Sequence, residues 1–458
     1  MIKKANEVLD KVEIPFILVW EFMLIMRMIS TYSLIPSKFD SIIFSVISLA
    51  GGLLFIRNGF DWIKRREKPS FLLLIFTLAL VITSIANAPT GLVANFKLII
   101  WEVLLFFVAY ELGKKNRKDL FSLVEKVLVF TWFVLLVISL GMFFVQFQYT
   151  MPLDKLYYGI RMGFFENRLY GVFVDPNYAA TISVVSFCFS IHLFKKAESK
   201  LYRGFLITNL IVSFFFVVLS GSRTAMIESM AVVVVWVFFY FYYNKKTMAL
   251  FKRLLLSTGL ALAAVVVLSL TMTVTQKVSV VTAEAVSKVI VIKTNDGKDD
   301  ISLDRPDTGE DSDISNSRFK LWKSAVEIFE TKPLIGPSPK GLLHYAQKNL
   351  PNTWIAIKEQ TPHNFLFFLL ATTGLLGTIP FTLFVLYNMI KALVTLFKMN
   401  RTNYLEYLFY SLIVLAILIS ACLIPDIVLV NRLGALVFFL YIGRLNSKNE
   451  QETSELEL

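Results

Sequence analysis

The sequence predicts an all-α, polytopic integral membrane protein with about 12 transmembrane helices. Hydrophobic residues make up 56% of the 458 residues and charged residues 17%, whereas soluble domains average about 45–50% and about 25%. Mean hydropathy is +0.64. The apolar residues also fall into blocks close to the roughly 20 residues that a helix needs to cross a bilayer. These observations exclude a soluble enzyme, a disordered chain and a secreted disulfide scaffold.

Each apolar block is a candidate transmembrane span. No small-residue cleavage site follows the first block, so we expect an uncleaved anchor and not a signal peptide. The candidate spans lie near residues 14–35, 41–56, 70–86, 92–111, 123–147, 177–194, 204–219, 224–243, 254–275, 364–390, 404–422 and 427–443.

The distribution of Lys and Arg orients these spans. Basic residues are concentrated in alternate connections. The short opposite connections, 36–40, 87–91 and 423–426, contain one basic residue, Lys38. The positive-inside rule then predicts cytoplasmic N- and C-termini. The net charge of +12 therefore reflects topology, and no nucleic-acid partner is expected. The basic connections contain Arg57, Lys64, Arg65, Arg66 and Lys68; Lys114, Lys115, Arg117 and Lys118; Lys195, Lys196, Lys200 and Arg203; Lys245, Lys246, Lys252 and Arg253; and Lys391, Lys398 and Arg401.

The domain organisation follows from the lengths of the connections. Two connections are long and both are predicted outside, near 148–176 and 276–363. Loops as long as the second connection usually have a function. We expect transmembrane helices 1–9 in residues 1–275, an extracytoplasmic catalytic loop in 276–363, helices 10–12 in 364–444 and a cytoplasmic tail in 445–458.

An amphipathic helix is predicted inside the long loop, from Ser317 to Glu330. Phe319, Trp322, Val326 and Phe329 recur there at helical spacing, with charged residues between them. Such a helix could lie on the membrane surface.

Arg223 is the first candidate functional residue. It lies in 220-SGSRTA-225, a very tight turn between two predicted spans. Its guanidinium, together with the N-terminal amides of the next helix, would suit an anion. The alternative is an interfacial arginine that extends to lipid headgroups.

Arg318 heads the stripe that includes Trp322 on the predicted amphipathic helix. An arginine in that position needs a partner, and a phosphate matches its planar fork. The alternative is an anchor for lipid headgroups.

His363, in 362-PHN-364, ends the long loop at the start of a predicted span. Its unperturbed pKa near 6.5 suits a neutral imidazole that accepts a proton. The other two histidines, His192 and His344, lack such a boundary position, and we expect no catalytic role for them.

Other charged residues are less informative. Arg161 and Arg168 could extend a cationic patch or pair with Glu166 or Asp175. Three further charged residues lie inside predicted spans, where each costs about 2.5–3.5 kcal/mol at mid-depth and is expected to face the bundle interior; these are Glu102, Glu228 and Arg432.

No metal or cofactor site is predicted. The aspartates between Asp296 and Asp313 match no calcium-loop spacing. Zinc signatures, phosphate-binding glycine loops and serine-nucleophile elbows are also missing from the sequence, so an ATP-driven pump has no support.

Taken in order, the motifs resemble those of the O-antigen ligase and Wzy polysaccharide polymerase superfamily. The motifs are 168-RLYGVFVDPNYAA-180, 220-SGSRTA-225, 318-RFKLW-322, 333-PLIGPSPKG-341 and 362-PHNFLFFLLATTGLLG-377. Each is weak alone, but their order and predicted topology over roughly 160–390 are fairly specific. The N-terminal third matches only as a set of helices.

The resemblance implies a membrane-embedded glycosyltransferase of the GT-C type, which requires neither metal nor cofactor. Its donor and acceptor would be oligosaccharides on undecaprenyl diphosphate, and the reaction would invert the anomeric configuration at the outer face of the membrane. By motif, Arg223 and Arg318 would bind the diphosphate and His363 would engage the acceptor hydroxyl. The expected substrate-binding residues are Arg161, Arg168, Asn177, Trp322, Asn364 and Arg432. Membrane lipids, a chain-length regulator and a flippase are further expected partners.

The acceptor is left open by the superfamily. A polymerase joins repeat units into capsule, exopolysaccharide or O-antigen, and a ligase moves the finished glycan onto lipid A core. We favour the polymerase because the excess of Lys over Arg and the abundance of Phe, Ile and Asn are common in AT-rich genomes, including many Gram-positive bacteria, which lack lipid A. A transporter of lipid-linked sugar would be expected to show internal repeats and mid-membrane sites, and a receptor or scaffold is a third alternative.

Overall fold

The computed structural model describes residues 2–65, 68–115, 117–152, 159–287, 302–303, 317–401, 403–424 and 426–447. These ranges are predominantly helical. The stretch of aspartates between Asp296 and Asp313 and the tail beyond Ser447 lie outside the described residues. The first helices are α1 (Ile2–Met26), α2 (Ser37–Arg65), α3 (Phe71–Ala86), α4 (Leu92–Leu104), a π-helical turn (Leu105–Ala109) that continues into α5 (Tyr110–Lys114), α6 (Lys118–Phe144) and α7 (Pro176–Lys196).

The remaining helices include those that follow the predicted long loop. They are α8 (Lys200–Leu219), α9 (Arg223–Asn244), α10 (Leu250–Ser287), α11 (Arg318–Thr331), α12 (Leu342–Asn349), α13 (Trp354–Lys358), α14 (Phe365–Lys398), α15 (Tyr404–Ala421) and α16 (Leu433–Leu445).

All twelve apolar blocks of the sequence overlap helical segments, although α1 ends at Met26 within the first block and α16 begins at Leu433 within the last. Within the described residues, nine helices are long and apolar enough to cross a membrane, and α3 and α16 are shorter apolar helices. The first block overlaps α1, which carries Asp10, Lys11, Glu13 and Glu21 among its apolar residues. The predicted fold class is confirmed: this is an all-α, multi-pass membrane protein.

The last predicted span is wrong at its start. Helix α16 begins at Leu433 and not near residue 427, and its 13 residues extend about 20 Å, less than the roughly 30 Å of a hydrocarbon core. Residues 426–432 are non-helical, and Asp426, Ile427 and Val428 are buried. Non-helical backbone is tolerated at such depth when protein surrounds it. The buried Glu102 contributes, because its Oε1 accepts a hydrogen bond from the backbone N–H of Val430 at 3.2 Å.

Arg432 is therefore corrected as well. It was expected inside a span, but it is the N-cap residue of α16, in extended conformation. The error has a simple cause: residues 427–429 are apolar because they are buried in protein, and hydropathy alone cannot distinguish that burial from contact with lipid.

A small sheet replaces the first long loop. Strands β1 (Gln148–Met151), β2 (Ile160–Phe165) and β3 (Arg168–Gly171) pair antiparallel in that order. Gly171 has φ of +60°, and a Cβ there would lie 2.2 Å from the Oγ of Ser139 on α6. The close approach lets Ser139 accept a hydrogen bond from Val172 N–H at 3.1 Å. We call the end of the bundle that carries this sheet the sheet end.

Helix α14 is broken at Gly374, where φ is +57° and ψ is −157°. Residues 333–338 pack against this break and exchange backbone hydrogen bonds with it. Ser338 N–H donates to Thr372 at 3.0 Å, Leu375 N–H to Pro333 at 2.8 Å and Leu376 N–H to Leu334 at 3.0 Å. These bonds satisfy the backbone groups that the break releases from the helix. The segment thereby fixes the half-helix 365–373, which follows His363.

Replacing Gly374 with alanine should destabilise the protein. The new Cβ would lie 2.5 Å from the Leu334 carbonyl carbon in a backbone conformation that disfavours side chains, so we expect the free energy of unfolding to fall by about 1–3 kcal/mol. Thermal unfolding in detergent measures the change. Gly259→Ala is the control, since nothing lies within 4 Å of its added Cβ and alanine favours helix by about 0.5–1 kcal/mol. Equal melting temperatures for the two variants would contradict the role of the break.

Candidate functional site

His363 lies at the sheet end, directly before α14, and its position is set by the residue that follows it. Asn364 caps α14, because its Oδ1 accepts hydrogen bonds from the N–H groups of Leu366 at 2.8 Å and Phe367 at 3.2 Å. Its Nδ2 donates to the carbonyl of Cys422, just beyond α15, at 2.8 Å. His363 itself has φ of +51°. The cap therefore holds the histidine where α14 and α15 meet.

Charged groups from three other segments surround His363. Burial lowers its pKa below the ordinary value, the guanidinium of Arg318 lowers it further, the Asp175 carboxylate opposes this, and Arg432 adds a smaller lowering. Arg318 comes from α11, Asp175 from the start of α7 and Arg432 from the start of α16. Since the lowered pKa keeps the imidazole neutral near pH 7, His363 can accept a proton there.

Helix α11 carries Arg318 against the first half of α14. Trp322 stacks on Phe367 of α14 with ring centroids 5.1 Å apart and planes 11° from parallel. The predicted amphipathic helix is present, but a different face is buried. Phe319, which was assigned to the apolar stripe, is 63% exposed. The buried residues are Leu321, Ser324, Ala325 and Ile328.

Arg432 is held over an aromatic ring. Its guanidinium lies 5.3 Å from the ring centroid of Tyr178, and Tyr178 Oη accepts a hydrogen bond from Gly434 N–H at 2.7 Å. Asp426 lies close by, and burial raises its pKa to about 7 although Arg432 opposes that rise. Asp175 caps α7, since its Oδ1 accepts from the N–H of Asn177 at 2.8 Å and of Tyr178 at 3.4 Å.

Arg168 joins three elements next to this cluster. Its Nε donates to the Ser220 carbonyl at 2.9 Å, and its Nη2 donates to Asn177 Oδ1 at 2.6 Å. Ser220 belongs to the turn between α8 and α9, and Arg223 is the first residue of α9. Arg168 therefore connects strand β3, the start of α7 and the turn before Arg223. The acceptors of these two bonds are neither Glu166 nor Asp175, the partners considered from the sequence.

The predicted site residues thus form two groups and a remainder. His363, Arg318 and Arg432 are coupled electrostatically, and Asn364 and Trp322 hold the two helices beside them. Arg168 and Asn177 bond to each other near the turn of Arg223. Arg161 lies on β2 and pairs with Glu166 at 3.3 Å.

Asp175, Tyr178 and Asp426 were not among the predicted site residues. Asp175 and Tyr178 lie in a motif quoted from the sequence, and an Asp before a Pro is the pattern of a helix N-cap followed by the first helical residue. That pattern could have placed Asp175 at a helix end beside the outer loops. Asp426 carries no such signal, because it stands alone in a short connection.

A cavity of about 250 Å³ opens beside the cluster. It shares Asp175 and Arg432 with the surroundings of His363. Its walls are Leu24, Arg27, Met28, Val174, Asp175, Tyr178, Asn431, Arg432 and Leu433. Within the described ranges, no three His, Cys, Asp or Glu side chains are grouped to hold a metal ion.

Residues 208–382 match a family model described as O-antigen ligase. This match supports the O-antigen ligase and Wzy polymerase superfamily that the motifs resemble. Members of this family are glycosyltransferase-like enzymes. The O-antigen ligase domain spans most of α8 to the middle of α14 and contains Arg223, Arg318 and His363. Arg432 and the walls of the cavity lie outside the matched segment. No curated protein matches the chain.

The charges around His363 lead to a prediction about its titration. Arg318→Gln and Arg432→Gln each remove a positive charge and should raise the pKa of His363, whereas Asp175→Asn removes a negative charge and should lower it. NMR titration of ring-labelled histidine in detergent, assigned with His363→Gln, measures each shift.

The matched control is Lys323→Gln, which removes a positive charge from the same helix at a side chain that is 80% exposed. This control should leave the titration unchanged. An unchanged His363 titration in Arg318→Gln would show that the two groups are not coupled.

Proposed function

We propose that this protein is a polysaccharide polymerase that joins undecaprenyl-diphosphate-linked oligosaccharide repeat units at the outer face of the cytoplasmic membrane. The observation that carries the proposal is the position of His363, which the Asn364 cap holds among the charges of Arg318, Arg432 and Asp175 inside the segment that matches the O-antigen ligase model. A proton acceptor beside fixed cations suits transfer of a glycosyl group from a diphosphate leaving group.

Two arginines would hold the donor. Arg223 and Arg318 would bind the diphosphate and stabilise the negative charge that develops as it leaves. Each charge-assisted hydrogen bond of this kind contributes about 1.5–3 kcal/mol. Arg168 would support the site indirectly, because its bond to Ser220 holds the turn before Arg223.

The bond changes balance without a metal ion or cofactor. The acceptor hydroxyl oxygen attacks the anomeric carbon, the bond from that carbon to the diphosphate oxygen breaks with its electron pair, and the hydroxyl proton passes to His363. A single direct displacement inverts the anomeric configuration. The products are a longer glycan and undecaprenyl diphosphate.

Packing of the basic connections supports the proposed orientation. At the end of the bundle opposite the sheet, Glu13 forms ion pairs with Arg57, Lys115 and Arg117. These cations belong to two of the connections that the positive-inside rule assigns to the cytoplasm. The sheet end, with His363, would then face outward, where the lipid-linked substrates are displayed.

Substitutions at the site should separate catalysis from folding. Arg318→Ala should reduce chain growth at least about 100-fold, and Arg223→Lys should lose most activity because lysine lacks the bidentate fork. His363→Ala should reduce the rate by about 10²–10⁴. Polymer formation from purified lipid-linked repeat unit measures each loss.

Lys323→Ala is the control for Arg318→Ala. It lies on the same helix and its contact with Glu327, at 3.8 Å between exposed side chains, contributes little to stability. We expect full activity from this variant and normal membrane insertion from all four. Retained chain growth in Arg318→Ala would remove the proposed role of that residue.

The same assay distinguishes the polymerase from the alternatives. Purified wild-type protein is incubated with undecaprenyl-diphosphate repeat unit, with and without lipid A core. We expect a ladder of longer glycans without lipid A core. Transfer only to lipid A core would identify a ligase, and the absence of any covalent product would favour a transporter or a binding protein.

A further inference from the structure

The cavity near His363 is lined by hydrogen-bonding side chains of the kind that bind sugars. We propose that it binds one sugar ring of the glycan that reacts at His363. This inference rests on the proposed function and adds to it a binding site on helices α1, α7 and α16, outside the segment that matches the O-antigen ligase model.

The size of the cavity restricts its occupant. About 250 Å³ is smaller than the roughly 300–1,000 Å³ of pockets that hold drug-sized ligands. A single sugar ring fits that space. The apolar walls from Leu24, Met28, Val174 and Leu433 suit the carbon faces of such a ring.

Unused hydrogen-bonding groups line the same space. Asn431 accepts a hydrogen bond from Trp20 Nε1 at 3.1 Å through its Oδ1, while its buried Nδ2 has no partner among the described residues. A rotation of this amide toward the cavity would let Nδ2 donate to a ligand oxygen. Arg27 presents a second donor. Its Nε and Nη2 donate to the Asp40 carboxylate at 3.0 and 2.6 Å, so its Nη1 can donate to another acceptor.

The charges of the lining favour a sugar over a phosphate. Arg27 is paired with Asp40, and Arg432 shares the lining with Asp175. Each cation of the lining therefore has a carboxylate near it. Asp175 uses Oδ1 for the α7 cap, so its Oδ2 is the group that would accept a ligand proton. Hydroxyl groups both donate and accept hydrogen bonds, whereas a phosphate would meet the Asp175 carboxylate with like charge.

The cavity is also placed to position a reacting ring. Asp175 and Arg432 line it, and their charges act on His363, so a ring held by these two side chains lies within electrostatic reach of the imidazole. Holding a reactant in this way lowers the entropic part of the barrier. The donor or the acceptor glycan supplies the ring.

Cysteine protection tests occupancy without requiring turnover. Val174 lines the cavity and is 51% exposed, so Val174→Cys should react with a maleimide in a Cys422→Ser background; Cys188 is buried. The probe is undecaprenyl-diphosphate-linked oligosaccharide isolated from the organism that makes the protein. It should slow labelling of residue 174 at least about fivefold. Leu34→Cys is the matched control, since Leu34 is 54% exposed, ends the short 3-10 helix Ser30–Leu34 between α1 and α2, and does not line the cavity; its labelling should not change.

Two further probes identify what protects the cysteine. Protection by lipid-free oligosaccharide indicates that the sugar alone is recognised, and protection by the lipid-linked form alone indicates that the lipid diphosphate must be bound as well; either supports the subsite. Undecaprenyl diphosphate without sugar should give no protection. Protection by that lipid would overturn the proposal in favour of a phosphate site, and equal labelling with every probe would overturn it outright.

A second variant tests the consequence for the reaction. Val174→Trp should fill the cavity, raise the KM for the oligosaccharide about tenfold and change kcat much less, whereas Leu34→Trp should leave both unchanged. An unchanged KM in Val174→Trp argues against the subsite. The two proposals can fail separately: if no glycan ladder forms but sugar still protects residue 174, the polymerase is rejected and the sugar subsite stands.

Discussion

The hydrogen bonds between residues 333–338 and the break in α14 hold the candidate site together. A bilayer interior supplies no water to backbone groups, so a helix can be interrupted there only if another segment takes up its free N–H and C=O groups. Residues 333–338 do this at Gly374. The half-helix before the break thereby gains a fixed direction, and Asn364 and His363 stand at its start. A straight, uninterrupted helix would leave the histidine without this support.

Much of the fold was predictable because apolar blocks of about 20 residues match the length of a helix that is removed from water across a bilayer. The twelve apolar blocks, the tight turn at Arg223 and the helix that begins at Arg318 all appear in the structure. What failed was the separation of protein-buried residues from lipid-facing ones. Residues 427–429 resemble part of a span in the sequence, but they lie buried in non-helical backbone.

The sequence predicted which residues belong to the candidate site better than it predicted what those residues contact. Residue type and position at helix ends drew attention to Arg318 and His363, and the structure brings their charges together. The partners of Arg168 could not be foreseen, because a backbone carbonyl at Ser220 leaves no trace in residue type. Asp426 was missed for a similar reason: its relation to Arg432 depends on how residues 426–432 fold, and spacing along the chain carries no record of that path.

The division of the site between segments affects how it could be transplanted. The O-antigen ligase segment, residues 208–382, contains His363 and Arg318, but Asp175 and Arg432 come from helices on either side of it. A chimera that exchanges only this segment would place the histidine of another protein beside Asp175 and Arg432 of this one. An exchange that keeps His363 with these counter-charges must begin before α7 and reach the start of α16, and one that also keeps the cavity must include the end of α1.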